Sequence, residues 1–242
     1  MALAQARRPI EGAVATLGVS DRVNFLRKTY AHLGIALLIW AAATGYVFRY
    51  MQSFSLHFTA WALQMSWLVV MALLIGSGML ARWLASSQQS RALQYLGLGI
   101  MIGSWTLLMQ IMLNVLFLKG NFEHPMSMLG QGVTVTMFIF VGLTLTVFIT
   151  KKDFSFLRGI VTVGSFAAIG IIAGAAIFGF SLGLVFTGAL IALLALRILY
   201  ETSTLMNDWA PTEYVAASLM LFATVATLFW NVMVFLMKMN RR

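Results

Sequence analysis

Between Thr29 and Met237 the chain is almost free of charge, and the few charged residues that interrupt it cut the apolar sequence into bilayer-sized lengths. Thr29 to Phe48, Tyr50 to Ala81, Ala92 to Leu118, His124 to Thr150, Gly159 to Leu196 and Tyr214 to Met237 contain no Asp, Glu, Lys or Arg. A bilayer core needs about 20 apolar helical residues, so the chain reads as a polytopic membrane protein. Composition agrees: 61% of residues are hydrophobic and 10% charged, where a soluble domain carries about 25% charged residues. A transmembrane β-barrel would alternate apolar and polar residues over segments of about ten. These runs are continuous, so the spans read as helices that satisfy their own backbone.

Gly159 to Leu196 holds 38 residues, about 57 Å as one helix, and must break once. Gly179-Phe-Ser-Leu-Gly183 is the expected turn, because glycine and serine allow it cheaply. The expected fold is therefore all-α and integral to the membrane, with seven spans at about 29–49, 57–83, 92–118, 127–150, 158–178, 182–203 and 213–237. A basic segment, 1–28, precedes them and a basic tail, 238–242, follows. No segment is long enough for a separate soluble domain.

The net charge of +9 sits at helix ends and forms no basic face for nucleic acid. It reads as a topology signal. With the N-terminus in the cytoplasm, Arg7, Arg8, Arg22, Arg27, Lys28, Arg82, Arg91, Lys151, Lys152, Arg158 and Arg197 lie inside, against Arg49, Lys119, Lys238, Arg241 and Arg242 outside. The basic tail is the exception to this bias. A re-entrant last segment would bring it inside. Met1 to Lys28 lacks the apolar centre of a cleaved signal, so the first span is expected to act as its own insertion signal. The bilayer is the expected partner and a bacterial-type inner membrane the expected home. Zero cysteines exclude disulfides and thiolate chemistry. His32, His57 and His124 are isolated, which argues against a histidine metal site.

Several patterns read as packing. Gly164 with Ala168, Gly170 with Gly174 and Gly179 with Gly183 are small residues four apart, suited to close helix approach. Trp40, Trp61, Trp83 and Trp209 fall near expected span ends and fit the interface. The sixteen methionines suit irregular gaps.

Charge at the margin of a span is more informative, because ionised groups in hydrocarbon usually face protein or water. Arg49, Arg82, Arg197 and Glu201 qualify. Arg197 and Glu201 are four apart on the sixth span and can pair. The pair is either an interfacial ion bridge or part of a gated proton or cation site. On the seventh span Thr224, Thr227 and Asn231 form a polar stripe at i, i+3 and i+7, with Ser218 near that face. Such hydroxyls commonly bond their own helix or a neighbour.

Four motifs then carry a family resemblance. Phe25-Leu-Arg-Lys-Thr-Tyr30 resembles the Phe-Ile-Arg-Lys-Val-Tyr that leads into the first span of the Bax inhibitor-1, or transmembrane Bax inhibitor motif, family. Thr150-Lys-Lys-Asp-Phe154 resembles its Thr-Lys-x-Asp-Phe, and Ile198-Leu-Tyr-Glu-Thr202 its Ile-Leu-Tyr-Asp-Thr. Glu213-Tyr-Val215 and Leu228-Phe229 resemble its Glu-Tyr-Val and Asn-Leu-Phe landmarks. The order is the family's, over nearly the whole chain.

The resemblance implies seven helices with the last enclosed by the other six, and a pH-sensitive calcium leak held shut by two aspartates that share a proton. Coupled carboxylates respond to pH in that way, and calcium prefers oxygen ligands. Here Glu201 occupies the sixth-helix aspartate position, while Thr224 and Thr227 fall on the seventh-helix aspartate and asparagine. No carboxylate pair forms at these positions, and the second span carries no acid. Glu201 is left as the expected proton sensor, and as the candidate ligand if calcium passes as the transported ion. No other cofactor is expected.

The alternative is a non-conducting regulator of stress response or membrane proteolysis that acts through protein partners. Its contact region would be the N-terminal segment with Arg7, Arg8, Glu11, Asp21 and Arg22, although basic juxtamembrane residues also meet anionic lipid. No enzymatic activity is expected. Lys238 ends its helix and cannot hold a mid-membrane Schiff base, and Glu201 lacks a second carboxylate, Asp208 being seven residues on.

Overall fold

The computed structural model describes residues 14, 18–65, 67–87, 90–119, 122–150 and 152–240. Arg7, Arg8, Glu11, Lys151, Arg241 and Arg242 lie outside the described residues. The described residues form helices α1 (Val19–Tyr50), α2 (Gln52–Gln64), α3 (Trp67–Ala85), α4 (Arg91–Asn114), α5 (Pro125–Thr150), α6 (Leu157–Phe178), α7 (Leu184–Asn207) and α8 (Tyr214–Met239), and no strand. A π-helical turn, Val115–Lys119, extends α4. Among the described residues six helices are long and apolar enough to cross a membrane: α1, α4 with its extension, α5, α6, α7 and α8.

Two expectations about boundaries are revised. The first helix starts at Val19, so residues 19–28 are its polar opening turns and not part of a separate segment. The expected helix 57–83 is two helices, because Met65 takes an extended backbone (φ −74°, ψ 150°) after Gln64. Together α2 and α3 run antiparallel beside α4. Ser55 meets Asn114 near one end, and Ala81 and Ala85 meet Gly97 near the other. The break after α6 falls where expected: Gly179 has φ +74°, a left-handed conformation that suits glycine, and its N–H donates to Ala175 O.

Helix α8 lies inside the bundle, flanked by α1, α3, α4, α5 and α7. Leu219, Leu221, Phe222, Leu228 and Met233 on its several faces are fully buried. The expected enclosure by all six other spans is not what is found: α6 packs chiefly on α7, outside this ring. Its Gly164 admits the Leu193 side chain of α7, while Val163, Phe166, Ile177 and Phe178 remain exposed as a lipid-facing surface. Helix α4 is as buried as α8. The small-residue pairs also divide. Only Gly164 is tightly packed; Gly170 and Gly183 have nothing close, and Gly174 makes ordinary contact with Phe180. The tightest backbone approach at these glycines is at Gly97, between α3 and α4.

Trp61 and Trp83 are exposed, as interfacial rings should be, but Trp40 is buried. It packs edge-on against Trp105, Phe222 and Phe229, with centroids at 6.4, 5.7 and 5.8 Å. Burying the whole ring among aromatics outweighs its interfacial preference. The methionines divide: Met101, Met109, Met112, Met128 and Met233 are buried, Met233 in the groove at Gly132, whereas Met51, Met65, Met79, Met126, Met137 and Met239 are exposed. At one end of the bundle Val14 N–H donates to Trp209 O. At the other, Lys238 Nζ donates to Leu182 O (2.6 Å) and Thr187 Oγ1 (2.8 Å), tying the end of α8 to the α6–α7 turn. Helix α8 therefore runs the full length of α7.

Candidate functional site

The spacing of Arg197 and Glu201 on α7 is realised as an ion pair, Arg197 Nε donating to Glu201 Oε1 at 2.7 Å. The two ends of the pair differ in environment. The Glu201 side chain is 4% exposed and that of Arg197 29%. The second carboxylate oxygen, Oε2, accepts a 2.6 Å hydrogen bond from Thr224 Oγ1 on α8. Both oxygens of Glu201 are thus engaged, one within α7 and one across to α8. Short bonds to an ionised acceptor are the strong kind. Thr204 Oγ1 donates to the Glu201 backbone carbonyl at 3.0 Å and completes the buried turn.

The rest of the polar stripe does not reach Glu201. Thr227 Oγ1 donates to Ala223 O (2.7 Å), Asn231 Nδ2 to Thr227 O (2.8 Å) and Ser218 Oγ to Val215 O (2.7 Å). Each is satisfied by its own helix, as mid-helix hydroxyls often are. Of the stripe, Thr224 alone bonds to Glu201, while Thr227 and Asn231 are turned to their own helix. Thr224→Val is expected to destabilise the protein by about 1.5–3 kcal/mol, the range for a hydrogen bond to a charged group. Thr227→Val should stay within about 0.5 kcal/mol. Thermal unfolding of the two variants in detergent compares them.

A pocket of about 270 Å³ opens between α6 and α7, lined by Thr162, Ser165, Phe166, Tyr200, Arg197 and Glu201 among others. Arg82, at the end of α3, interacts electrostatically with both Arg197 and Glu201. One carboxylate is therefore paired with one guanidinium and lies within the field of a second. Calcium takes six to eight oxygens, whereas here a single carboxylate has both oxygens occupied. Among the described residues no three His, Asp or Glu side chains gather.

Three helices supply a second polar group that sequence spacing could not reveal. Tyr30 of α1 faces Thr144 of α5 and Thr202 of α7, with no aligned hydrogen bond between the three hydroxyls. Thr202 adjoins Glu201 in the chain. Asp153, from the Thr-Lys-Lys-Asp-Phe segment, accepts from Ser155 N (2.8 Å) and Ser203 Oγ (3.2 Å), and Ser203 Oγ accepts from Phe154 N (3.0 Å). These bonds dock the α5–α6 turn on α7 two residues beyond Glu201. Glu213 Oε2 accepts from Ala210 N at 3.1 Å and shapes the turn into α8. Three of the resemblance motifs therefore meet around one end of α7 as structural supports for the carboxylate.

The chain is 30% identical to the uncharacterized protein PA2604 of Pseudomonas aeruginosa over 104 residues, which is 43% of this chain and 46% of that one. The aligned part therefore spans less than half of the relative. No solved structure matches the chain significantly. The family model described as inhibitor of apoptosis-promoting Bax1 matches residues 22–242, nearly the entire bundle. With that match, and with its motifs assembled around Glu201, the chain belongs to the Bax inhibitor-1 family of integral membrane proteins.

Proposed function

We propose that the protein is a pH-sensitive cation leak of the inner membrane whose gate is held by one carboxylate in place of an aspartate pair. In this reading the chain spans seven times with its N-terminus in the cytoplasm, and the broken α2–α3 pair counts as one crossing. The observation that carries it is the joint engagement of Glu201 by Arg197 on α7 and Thr224 on α8. Ionised, Glu201 fastens the two helices beside the α6–α7 pocket. Protonated, it loses the charge that strengthens both bonds, and α7 becomes free to shift against α8. Calcium would be cargo and not a resident ion.

Calcium flux into liposomes at pH 6 and pH 8 tests this, with the natural sequence beside Glu201→Gln. The expected result is a flux that rises at pH 6 in the natural protein and loses its pH response in the variant. An equal response in both would remove Glu201 as sensor.

A second reading is favoured by the cationic surroundings of Glu201. Arg82 and Arg197 would repel a divalent ion, which suits a non-conducting regulator acting through protein partners. Absence of flux at either pH from folded protein would select it.

A further inference from the structure

We propose that the polar core between α1, α2 and α4 is an internal hydration site that holds at least two ordered water molecules. It is distinct from the Glu201 site, and nothing in it depends on whether the protein conducts ions.

Six side chains build it: Thr44 of α1, Ser55 and Thr59 of α2, and Thr106, Gln110 and Asn114 of α4, all buried. The last three recur at i, i+4 and i+8 and so share one face of an apolar helix. Ser55 Oγ donates to Gln110 Oε1 at 2.9 Å, and Gln110 Nε2 donates to the backbone carbonyls of Thr106 (3.2 Å) and Thr44 (3.3 Å). Asn114 Nδ2 faces three acceptors with two hydrogens: Ser55 O (3.2 Å), Ser55 Oγ (2.8 Å) and Thr59 Oγ1 (2.8 Å).

The network does not close on itself. Asn114 Oδ1, Thr44 Oγ1 and Thr106 Oγ1 are buried without a protein partner. Exchanging the oxygen and nitrogen of the Asn114 amide would turn the orphan acceptor into an orphan donor and leave it orphaned. Thr146, Thr150, Thr187 and Thr227 each return their hydroxyl to the carbonyl one turn earlier, whereas those of Thr44 and Thr106, like those of Thr29, Thr136, Thr144 and Thr202 elsewhere in the bundle, do not.

Buried polar groups in apolar surroundings are nearly always paired, by protein or by water. The unpaired set mixes an amide acceptor with hydroxyls that can donate, and water serves both. A cation would engage acceptors alone, and α2, α3 and α4 carry no Asp or Glu to balance its charge. Thr106 and Asn114 lie about 12 Å apart along α4, so one water does not serve both. The π-helical turn follows directly after Asn114, and such widened turns recur at functional positions. Trp40, one turn before Thr44 on α1, belongs to the aromatic cluster with Trp105, Phe222 and Phe229 and closes the seam on that side.

Water-edited solid-state NMR of the full, 15N-labelled protein in lipid bilayers tests the assignment. Magnetisation from water protons should reach the side-chain amides of Gln110 and Asn114 about as fast as that of exposed Gln131, and several-fold faster than the backbone amides of fully buried Leu219 and Leu228. Transfer as slow as at Leu228 would overturn the proposal. In Thr44→Val/Thr106→Val, whose side chains keep their shape, the Gln110 transfer should slow about twofold as water partners are lost. Fast transfer that persists unchanged in this variant would place the water elsewhere and overturn the assignment equally.

Discussion

Replacing Gly97 with alanine is expected to destabilise the protein by about 2–3 kcal/mol, the upper part of the range for overpacking. An added Cβ would press on the Ala81 carbonyl and lie 2.9 Å from Ala85 N and 3.2 Å from Leu84 Cβ. Two of these atoms are helix backbone and cannot rotate aside. Helix α3 must then move away from α4 as a body and lose the close contact that small residues provide in lipid. Gly103→Ala is the control, because nothing lies within 4 Å of its added Cβ and alanine favours helix. Its stability should stay level or rise slightly. Thermal unfolding in detergent checks the pair, at about 2–4 °C per kcal/mol for a chain of this size. Equal melting of the two variants would contradict the close α3–α4 approach.

The second large effect is an asymmetry within the ion pair. Arg197→Met removes the charged partner of a carboxylate that is only 4% exposed, and leaving a buried charge unpaired costs about 3–5 kcal/mol. The Arg197 side chain is 29% exposed, so solvent already screens part of the attraction and about 2–3 kcal/mol is expected. Glu201→Met leaves a partly exposed arginine that can turn outward, and should be milder. In Arg197→Met/Glu201→Met, with no charge left to bury, much of the loss should return. If Glu201→Met proved the more damaging single change, the proposed distribution of burial between the partners would be wrong.

The membrane class and most spans were legible because charge is confined to helix ends, and lipid tolerates little else. The turn at Gly179 was legible too, since only glycine takes its left-handed backbone cheaply. The division of α2 from α3 was not. Met65 is neither glycine nor proline, so its extended backbone has no signature in the local sequence. Trp40 was assigned to the interface by its place near a span end, whereas aromatic packing with α4 and α8 decided its position.

At the site, the i,i+4 spacing announced the Arg197–Glu201 pair and the stripe on α8 pointed at Thr224. The same stripe overreached at Thr227 and Asn231, because periodicity gives a face and not the choice between a neighbouring helix and the preceding turn. Attention to charge alone passed over Gln110 and Asn114. Two amides four residues apart inside an apolar span were a visible signal of a buried polar core. The meeting of Tyr30, Thr144 and Thr202 comes from three distant helices and leaves no trace in local spacing.

The central claim is that ionised Glu201 fastens α7 to α8 through Thr224, and a double-mutant cycle with Glu201→Met and Thr224→Val measures that coupling most directly. The account predicts a coupling of about 1–2 kcal/mol at pH 8. Effects that add to within about 0.5 kcal/mol at pH 8 would show that the two residues act independently, and would contradict the latch.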